Sequence, residues 1–192
     1  MRVLAGALKG RRLVTPRGST TRPTADQVRI ALMDTLTPRL PDARLLDLFA
    51  GAGGVGFEAL SRGAAHVTFV ERDARAVAAL RTNVETLGVA AQTRVERAEV
   101  ATGLARLGRE GARFDLVFLD PPYDEDLIAP TLERLGGEDL VVTDGLVIAQ
   151  HLSKRPPAAV VGRLTTYRTR RFGETTLTFF RAGGYDSAIP PS

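Results

Sequence analysis

The sequence predicts an α/β fold built on a doubly wound, mostly parallel sheet. Strand-like and helix-like segments alternate between residues 44 and 151, which is the pattern of successive βαβ units. A glycine-rich segment follows the first of these strands, where such a fold turns tightly into a helix. After residue 155 the alternation ends, and two strand-like segments follow with no helix between them. These two segments predict an antiparallel hairpin that closes the edge of the sheet.

The first 42 residues predict a small extension ahead of this sheet. Residues 2–15 have the pattern of a short β-hairpin that turns near Lys9 and Gly10. Thr24 and Gln27 have the three-residue spacing of a capping box, so we expect Thr24 to be the N-cap of a helix. The extension therefore consists of a hairpin, a loop and one helix.

The positive charge of the chain is concentrated in its first 44 residues, which we call the arm. Residues 1–44 hold nine basic and three acidic side chains, a net charge of +6, whereas the remainder holds 17 basic and 19 acidic side chains. A basic arm on a near-neutral body favours a polyanion such as a nucleic acid as partner, although a solvated arginine-rich surface has the same composition. The candidate phosphate contacts are Lys9, Arg11, Arg12 and Arg17.

The elements of the main domain follow in order from residue 43. Strands are predicted at 44–49, 66–71, 93–98, 114–120 and 145–151, with helices at 56–63, 74–88, 99–108 and 126–135 between them. The closing hairpin pairs 160–172 with 175–181 through Gly173 and Glu174. We expect three regions: the extension (1–42), the α/β domain (43–183) and a loose tail (184–192).

Composition excludes several classes of protein. The chain has no cysteine, so disulfides and thiolate metal sites are excluded, and its two isolated histidines do not suggest a metal centre. It has no run of 18 apolar residues, and its N-terminus lacks the pattern of a signal peptide. We expect a cytoplasmic monomer that contacts no membrane.

The glycine segment fits two classes of nucleotide-binding enzyme. Gly51, Gly53 and Gly56 match G-x-G-x-x-G, and Glu71 stands where an acid would bind a ribose, so an NAD-dependent dehydrogenase is one interpretation. Asp47 argues against it, because a carboxylate just before the loop would repel a pyrophosphate. S-adenosylmethionine has an ammonium and a sulfonium group, which an acidic loop favours.

Asp120, Pro121, Pro122 and Tyr123 follow the fourth parallel strand, at the sheet edge where ligands bind in this fold. An exocyclic amino group of a nucleobase is a poor nucleophile, since its lone pair is delocalised into the ring. Asp120 can accept one N–H of such a group and the Pro121 carbonyl the other, while Pro122 restricts the residue before it. Tyr123 offers a flat face to an extruded base. These four residues are the predicted catalytic group, which works by positioning.

Several motifs together resemble one family. The segments "DLFAGAGGVGFEALSRGA", "FVERD" and "LDPPY" resemble the amino-methyltransferases that act on nucleic acids. With "RVLAGALKGRRL" and "RPTADQVRIAL" they resemble the bacterial RsmD-type methyltransferases, over about residues 2 to 181. The resemblance implies a Rossmann-like fold with a seven-stranded sheet, S-adenosylmethionine as donor, and N2 of one guanine in small-subunit ribosomal RNA as target. It also implies that the substrate is an assembling ribosomal subunit.

The resemblance assigns further residues by position. The donor-site positions are Asp47, Phe49, Gly51, Gly53 and Glu71, with Glu71 toward the ribose. Glu99 stands where the family places an Asp or Asn near the adenine, and Arg22 and Thr24 belong to an arm motif close to the donor. Where the family often has Glu before His at the end of the fifth strand, this chain has Gln150 and His151. No metal is implied.

One other amino-methyltransferase class shares the Asp-Pro-Pro-Tyr chemistry. Enzymes that methylate adenine N6 or cytosine N4 in DNA use the same motif but commonly carry a separate base-recognition domain. We expect that a chain of 192 residues leaves no room for one. The DNA-modifying class is the main alternative to the ribosomal one, ahead of the dehydrogenase.

Overall fold

A computed structural model of the chain describes residues 1–16, 23–123 and 125–183. The chain divides into two compact units, Met1–Gly103 and Leu104–Ser192. Arg17, Arg22 and the predicted tail at 184–192 lie outside the described residues. None of the helices in the described ranges is both long and apolar enough to cross a membrane.

The first unit alternates helices with three parallel strands. Its elements are α1 (Pro23–Leu36), β1 (Arg44–Leu48), α2 (Gly54–Ser61), β2 (His66–Glu71), α3 (Ala74–Leu87) and β3 (Thr93–Arg97), with short 3-10 helices at Thr37–Arg39 and Ala90–Gln92. The strands lie in the order β3-β2-β1, and both pairings are parallel. α4 (Val100–Arg109) begins in this unit and ends in the second. β1 and β2 are buried almost throughout. Because both faces of these strands are covered, their sequences are nearly continuous apolar runs.

The N-terminal segment pairs as the sequence predicts. Arg2 and Arg12 form an antiparallel bridge, and the chain reverses through a turn at residues 7–10, which includes Lys9 and Gly10. The backbone ahead of this turn bonds to α2. The Glu58 carboxylate accepts the N–H groups of Leu4 and Ala5 at 2.8 and 3.0 Å.

α1 begins two residues earlier than the capping box predicts. Pro23 is the first helical residue, so Thr24 lies inside the first turn and is not the N-cap. Proline suits this position because its fixed φ matches a helix and its missing N–H would have no partner there. Val28, Ala31 and Leu32 form the buried stripe of this helix.

The second unit combines one parallel pair with an antiparallel set. Its strands are β4 (Phe114–Leu119), β5 (Val141–Leu152), β6 (Val160–Val161), β7 (Leu164–Phe172) and β8 (Thr175–Ala182), with α5 (Ile128–Gly137) between β4 and β5. β4 pairs with β5 in parallel, and the order continues β5-β8-β7-β6 with antiparallel pairings. The predicted closing hairpin is therefore confirmed.

Several boundaries in this unit differ from the sequence prediction, and β5 begins at Val141, four residues earlier than predicted. The segment predicted as one strand at 160–172 is broken at Gly162, whose φ is +56° and whose Cα packs against the Gly136 carbonyl, so that a side chain would clash there. α5 begins at Ile128, two residues later than predicted, because the N–H of Glu125 bonds to the Pro122 carbonyl in a turn. The break at Gly162 gives the described residues eight strands, one more than predicted. The fold class, mixed α/β with parallel strands and an antiparallel end, is confirmed.

Candidate active site

The glycine loop joins β1 to α2 in the first unit. Gly53 is the N-cap of α2 with φ +82°, and a Cβ there would lie 2.5 Å from the Phe57 ring and 2.6 Å from Leu80. Gly51, with φ +55°, has no atom of the described residues within 4 Å of its would-be Cβ. Gly53 is therefore required by packing, whereas Gly51 leaves open space above the loop. Phe49 also has a positive φ, +58°, which is a strained conformation for a residue with a side chain.

Asp47, predicted as a donor-site residue, is 2% exposed. Its Oδ2 accepts the N–H of Gly56 at 3.0 Å, in the first turn of α2. That N–H is one of the groups that a helix leaves without an internal partner, and a negative charge is favourable at this end of a helix. The structure thus gives Asp47 a role in fastening α2 to the end of β1, and its contact with a donor stays a prediction.

Glu71 ends β2 and holds the same loop from the other side. One carboxylate oxygen accepts the Gly51 N–H and the other accepts the Asp73 N–H, each at 2.8 Å. The side chain remains partly exposed, and each carboxylate oxygen has a second lone pair. Glu71 is therefore placed to fix the loop and to accept a further hydrogen bond. Its predicted contact with a ribose is compatible with this arrangement and stays a prediction.

The other predicted donor-site residues are less firmly placed. Glu99 is 61% exposed and forms an ion pair with Arg72, at 3.6 Å, so its carboxylate is not held in one position. Arg22 lies outside the described residues, and of Thr24 the structure describes only the backbone, in α1. Their roles toward the donor stay predictions.

Sequence reasoning missed Arg29, a buried arginine on α1. It is 6% exposed, and its Nη2 donates to the Arg2 carbonyl and to Asp26, both at 3.0 Å. Its Nη1 lies against Gly54, 2.9 Å from where a Cβ would stand. Burial lowers the pKa of this guanidinium, and its buried Nε has no hydrogen-bond partner among the described residues. The available signal was an arginine placed between apolar residues on the buried stripe of a helix.

The predicted catalytic group forms a hydrogen-bonded cluster in the second unit. Asp120 follows the last residue of β4, and its Oδ2 accepts from the Gln150 amide at 3.0 Å. The same amide lies 3.4 Å from the Tyr123 hydroxyl, which lies 3.3 Å from Thr175 Oγ1. Within the described ranges, Asp120 accepts from no other donor. The cluster joins the ends of β4 and β5 and the start of β8, and it leaves Oδ1 of Asp120 available.

The environment of the cluster raises the pKa of Asp120 from 3.8 to about 7. The cause is burial, since surrounding protein replaces the water that would stabilise the charged form. Pro121 is buried, and Pro122 and Tyr123 are exposed, the tyrosine by 42%. Near pH 7 the site therefore holds a carboxyl group that exchanges its proton, beside an aromatic ring open to solvent.

Gln150 was noted in the sequence only as a neutral departure from the family pattern, and the structure gives it a partner in the cluster. An amide can donate to Asp120 without adding charge, whereas a Glu there would repel it. His151, next to it, is buried, with Nδ1 2.9 Å from the Leu152 carbonyl and Nε2 2.8 Å from Thr178 Oγ1. Burial lowers the pKa of His151. Both of its ring nitrogens contact uncharged groups. His66 at the start of β2 also has a pKa lowered by burial, and by Arg44 and Arg94.

A cavity of about 330 Å³ opens beside this cluster, within the second unit. Its walls come from the catalytic motif, the end of β5, the loop after β5 and the start of α5: Pro121, Pro122, Tyr123, Glu125, Asp126, Ile128, Ala129, Gln150, His151, Leu152, Arg155, Pro156, Pro157 and Ala158. The volume falls at the lower end of the range for small-ligand sites, about 300 Å³ and above. Flat proline and tyrosine faces with a few polar groups suit a planar, polar ligand.

The predicted RNA-contacting residues lie on the exposed surface of the arm. Lys9, Arg11 and Arg12 are exposed, and Arg17 lies outside the described residues. Arg11 donates one N–H to the Thr86 carbonyl on α3, which attaches the arm to that helix. The guanidinium of Arg11 has further N–H groups that can donate to a phosphate. Their contact with RNA stays a prediction. Across 1–16, 23–123 and 125–183, no group of three or more acidic, histidine or cysteine side chains has the arrangement of a metal site.

Known proteins resemble this chain along nearly its whole length. A family model described as conserved hypothetical protein 95 matches residues 1–181. The "Putative rRNA methyltransferase YlbH" of Bacillus subtilis (strain 168) is 35% identical over 96% of this chain and 100% of its own length. Ribosomal RNA small subunit methyltransferase D of Escherichia coli (strain K12) is 31% identical over 94% of this chain and 89% of its own.

Solved structures agree with these relatives. The "Putative methyltransferase yhhF" from Escherichia coli has a TM-score of 0.83 and 29% identity, covering 96% of this chain and 98% of that one. A hypothetical protein from Thermus thermophilus, TTHA0928, has a TM-score of 0.80 and 34% identity, covering 93% and 98%. The chain therefore belongs to the conserved hypothetical protein 95 family, the RsmD-type family that its arm, glycine loop and Asp-Pro-Pro-Tyr motif resemble.

Proposed function

We propose that the chain transfers the methyl group of S-adenosylmethionine to the exocyclic N2 amino group of a guanine in small-subunit ribosomal RNA. The observation that carries the proposal is the Asp120 cluster. A carboxyl group is oriented by a neutral amide, has no ion pair within the described residues, and is set beside an exposed aromatic ring on a proline-stiffened turn. This arrangement suits an uncharged amino group attached to a flat ring.

Asp120 supports the nucleophile in two ways. Gln150 occupies Oδ2, so Oδ1 is available to accept one N–H of the target amino group and to turn the nitrogen lone pair toward the methyl carbon. As the N–C bond forms, the C–S electron pair stays on sulfur and the nitrogen becomes positively charged. It then loses a proton, for which a carboxylate with a pKa of about 7 is a matched acceptor. The products are the methylated amine and S-adenosylhomocysteine.

The neighbours of Asp120 fix the base in place. Pro121 supplies a carbonyl for the second N–H, and Pro122 restricts the conformation of the residue before it. Tyr123 is held through its hydroxyl by Gln150 and Thr175, so its exposed ring is an oriented surface for stacking a base. The adjacent cavity gives a base and its sugar room to leave the RNA stack.

The glycine loop has the features that the donor requires. Its backbone approaches open space at Gly51, and Glu71 is available to accept from a ribose hydroxyl while it holds the loop. S-adenosylmethionine supplies an electrophilic methyl group on a sulfonium. The loop contributes a close backbone surface, and the acids around it, Glu71 and Glu99, favour a cationic ligand over a pyrophosphate.

Ribosomal RNA as substrate is supported by the printed functions of the relatives and by the basic arm. Two relatives that cover most of this chain are described as ribosomal RNA methyltransferases, one of them as putative. Lys9, Arg11 and Arg12 are exposed cations on an arm with a net charge of +6. The guanine N2 position and an assembling subunit as the natural substrate rest on the family resemblance.

The proposal is tested with a labelled-methyl transfer assay. We expect the purified protein to methylate small-subunit ribosomal RNA or particles, and to leave large-subunit RNA and duplex DNA unlabelled. Asp120→Asn should lower kcat by roughly 10²- to 10³-fold, the scale expected for a lost preorganised contact. Asp42→Asn is the control, because Asp42 is exposed at φ +61°, a conformation that Asn tolerates. Turnover by Asp120→Asn equal to the control would refute the role of Asp120, and label in DNA alone would refute the RNA substrate.

A further inference from the structure

The β7–β8 hairpin of the second unit carries a second basic surface, separate from the arm. Residues 164–182 hold four arginines and one acidic side chain, Glu174. Arg168, Arg171 and Arg181 are exposed, and none of them has an ion-pair partner within the described residues. The chain-wide charge count hides this surface, because acids elsewhere cancel it.

A tyrosine is set between the arginines by a bulge in β7. The pairing shifts between Thr166 and Arg168, so Tyr167 is the extra residue on its strand. Its ring lies edge-on to Phe179, with centroids 6.2 Å apart, and remains 43% exposed. The Arg181 guanidinium lies 5.2 Å from the centre of the Tyr167 ring. Tyr167, Arg168 and Arg181 form what we call the hairpin face.

Strand register places the hairpin face on the same side of the sheet as the catalytic cluster. Gln150 pairs with Leu177, and Leu177 pairs with Arg170. Directly paired side chains share a face, and so do residues two apart along a strand. Leu177, Phe179 and Arg181 of β8 therefore lie on the face of Gln150. Arg168 pairs with Phe179, and Tyr167 contacts both Phe179 and Arg181, which puts the whole hairpin face on that side.

Tyr123 connects the cluster to the hairpin at its other end. Its hydroxyl lies 3.3 Å from Thr175 Oγ1, and Thr175 pairs with Phe172 on β7. The catalytic motif and the hairpin face are thus joined on one face of the second unit by strands that are hydrogen-bonded to each other. A chain bound at Tyr123 would meet the β7 arginines within a few residue spacings.

Exposed arginines also occur on edge strands simply to discourage strand pairing between molecules. β6 covers only the beginning of β7, so this explanation applies to β7 as well. It does not account for an exposed tyrosine with an arginine over its ring, since an apolar ring at an edge favours association. Interleaved cations and an aromatic platform are instead the composition of surfaces that track a nucleic acid strand.

We propose that the hairpin face binds the phosphate backbone of RNA next to the target nucleotide, with Tyr167 stacking on an unpaired base. The inference rests on the proposed function, because it takes RNA as the substrate. It adds a binding surface to the unit that holds the catalytic cluster, and it makes the arm one of two RNA contacts.

The test compares two double variants that remove the same charge from the second unit. Arg168→Gln with Arg181→Gln changes the hairpin face and keeps much of each aliphatic stem. Arg109→Gln with Arg171→Gln is the control: Arg109 ends α4, and Arg171 pairs with Thr176 and so points to the opposite face of the sheet. Binding to small-subunit ribosomal RNA is measured as a function of salt, and S-adenosylhomocysteine binding is measured by calorimetry.

We expect the hairpin-face variant to bind RNA roughly 10-fold more weakly than the control variant, with a salt slope flatter by about 1.4 for two lost contacts to a single strand. S-adenosylhomocysteine affinity should match the parent protein in both variants. Equal RNA affinity and slope in the two variants would overturn the inference while leaving the RNA substrate intact. A parent protein that binds S-adenosylhomocysteine but no ribosomal RNA would overturn the RNA substrate, and the hairpin inference with it.

Discussion

Asp120 is the residue where stability and function conflict. Burial raises its pKa to about 7, so the folded protein holds the proton more tightly than the unfolded chain, where the value is 3.8. The stability of the fold therefore falls as the pH rises from about 4 to about 7, and the full cost is present above pH 7. The same burial keeps the carboxyl group near the proton affinity that the reaction uses.

Replacing this carboxyl group with an amide should therefore stabilise the protein. We expect Asp120→Asn to raise the free energy of unfolding by up to about 4 kcal/mol at pH 8, and by clearly less at pH 5, because three pKa units correspond to about that energy. Urea unfolding of the parent and the variant at both pH values measures the difference. If the free energy of unfolding of the variant at pH 8 equals that of the parent, Asp120 is not held in a desolvated site.

A second single-residue prediction concerns the donor loop. A methyl group at Gly51 would project into open space, where we propose that the donor lies. Gly51→Ala should weaken S-adenosylhomocysteine binding by roughly 10-fold or more, with a stability loss of about 1–2 kcal/mol from its positive φ. Gly88→Ala is the matched control. Gly88 caps α3 at φ +71°, and within the described residues its would-be Cβ also meets no atom within 4 Å. If calorimetry gives both variants the parent's affinity, the donor does not lie over Gly51.

At the residue scale, the sequence identified the side chains that belong to recognisable motifs but not the side chains that hydrogen-bond to them. Asp120 and Tyr123 stand out because the strand, the prolines and the aromatic ring are adjacent in the chain. Gln150 contacts them through the alignment of β5 with β4, which depends on three-dimensional register and not on spacing along the chain. Arg29 was missed for a related reason, since an arginine on an apolar stripe is recognisable as buried only once its partner, the Arg2 carbonyl, is placed.

At the scale of elements, the arm and α2 behave as one structure. The buried Glu58 of α2 accepts two backbone N–H groups from the arm and one N–H from Arg62, at 3.1 Å. Ser61 adds bonds to the backbone of Ala5 and Leu8. β2 was predicted to the residue and α3 to within one residue because apolar periodicity and caps are local signals. The attachment of residues 4–8 to α2 was not predicted, because the partners of this backbone are side chains 53 and 54 residues away.

Glu58→Gln tests this attachment. Replacing one carboxylate oxygen by an amide leaves a buried backbone donor without an acceptor, so we expect a loss of about 2–3 kcal/mol in the free energy of unfolding. Glu85→Gln, at an exposed site on α3, should stay within about 0.5 kcal/mol of the parent. Hydrogen exchange should show the amides of Leu4 and Ala5 losing protection only in Glu58→Gln. An arm that stays protected in that variant would be held by other contacts.

At the scale of the whole molecule, charge is distributed over more surfaces than its sum suggests. The arm has a net charge of +6 and the remainder −2, yet the remainder includes the arginine-rich β7–β8 hairpin. A count along the chain finds the arm because its charges are contiguous. It cannot find the hairpin face, whose arginines are brought together by strand pairing.

The arm's share of RNA binding is measurable by its salt dependence. Lys9→Gln with Arg12→Gln should flatten the slope of log K against log salt by roughly one to two units and weaken binding across many RNA sequences. Arg75→Gln with Arg81→Gln, on the exposed side of α3, should change neither. Equal changes in RNA affinity and salt slope in the two double variants would mean that RNA binding depends only on total charge and that the arm makes no specific phosphate contacts.

The most direct test of the account is the identity of the methylated nucleoside. Small-subunit ribosomal RNA that lacks the modification is incubated with the protein and S-adenosylmethionine and digested to nucleosides. The nucleosides are separated by liquid chromatography against authentic methylguanosine isomers and identified by mass spectrometry. We expect one N2-methylguanosine per RNA molecule with the parent protein, and on the order of 10²- to 10³-fold slower formation with Asp120→Asn. A methyl group on adenine, cytosine or a ring position of guanine, or undiminished formation by Asp120→Asn, would contradict the central claim.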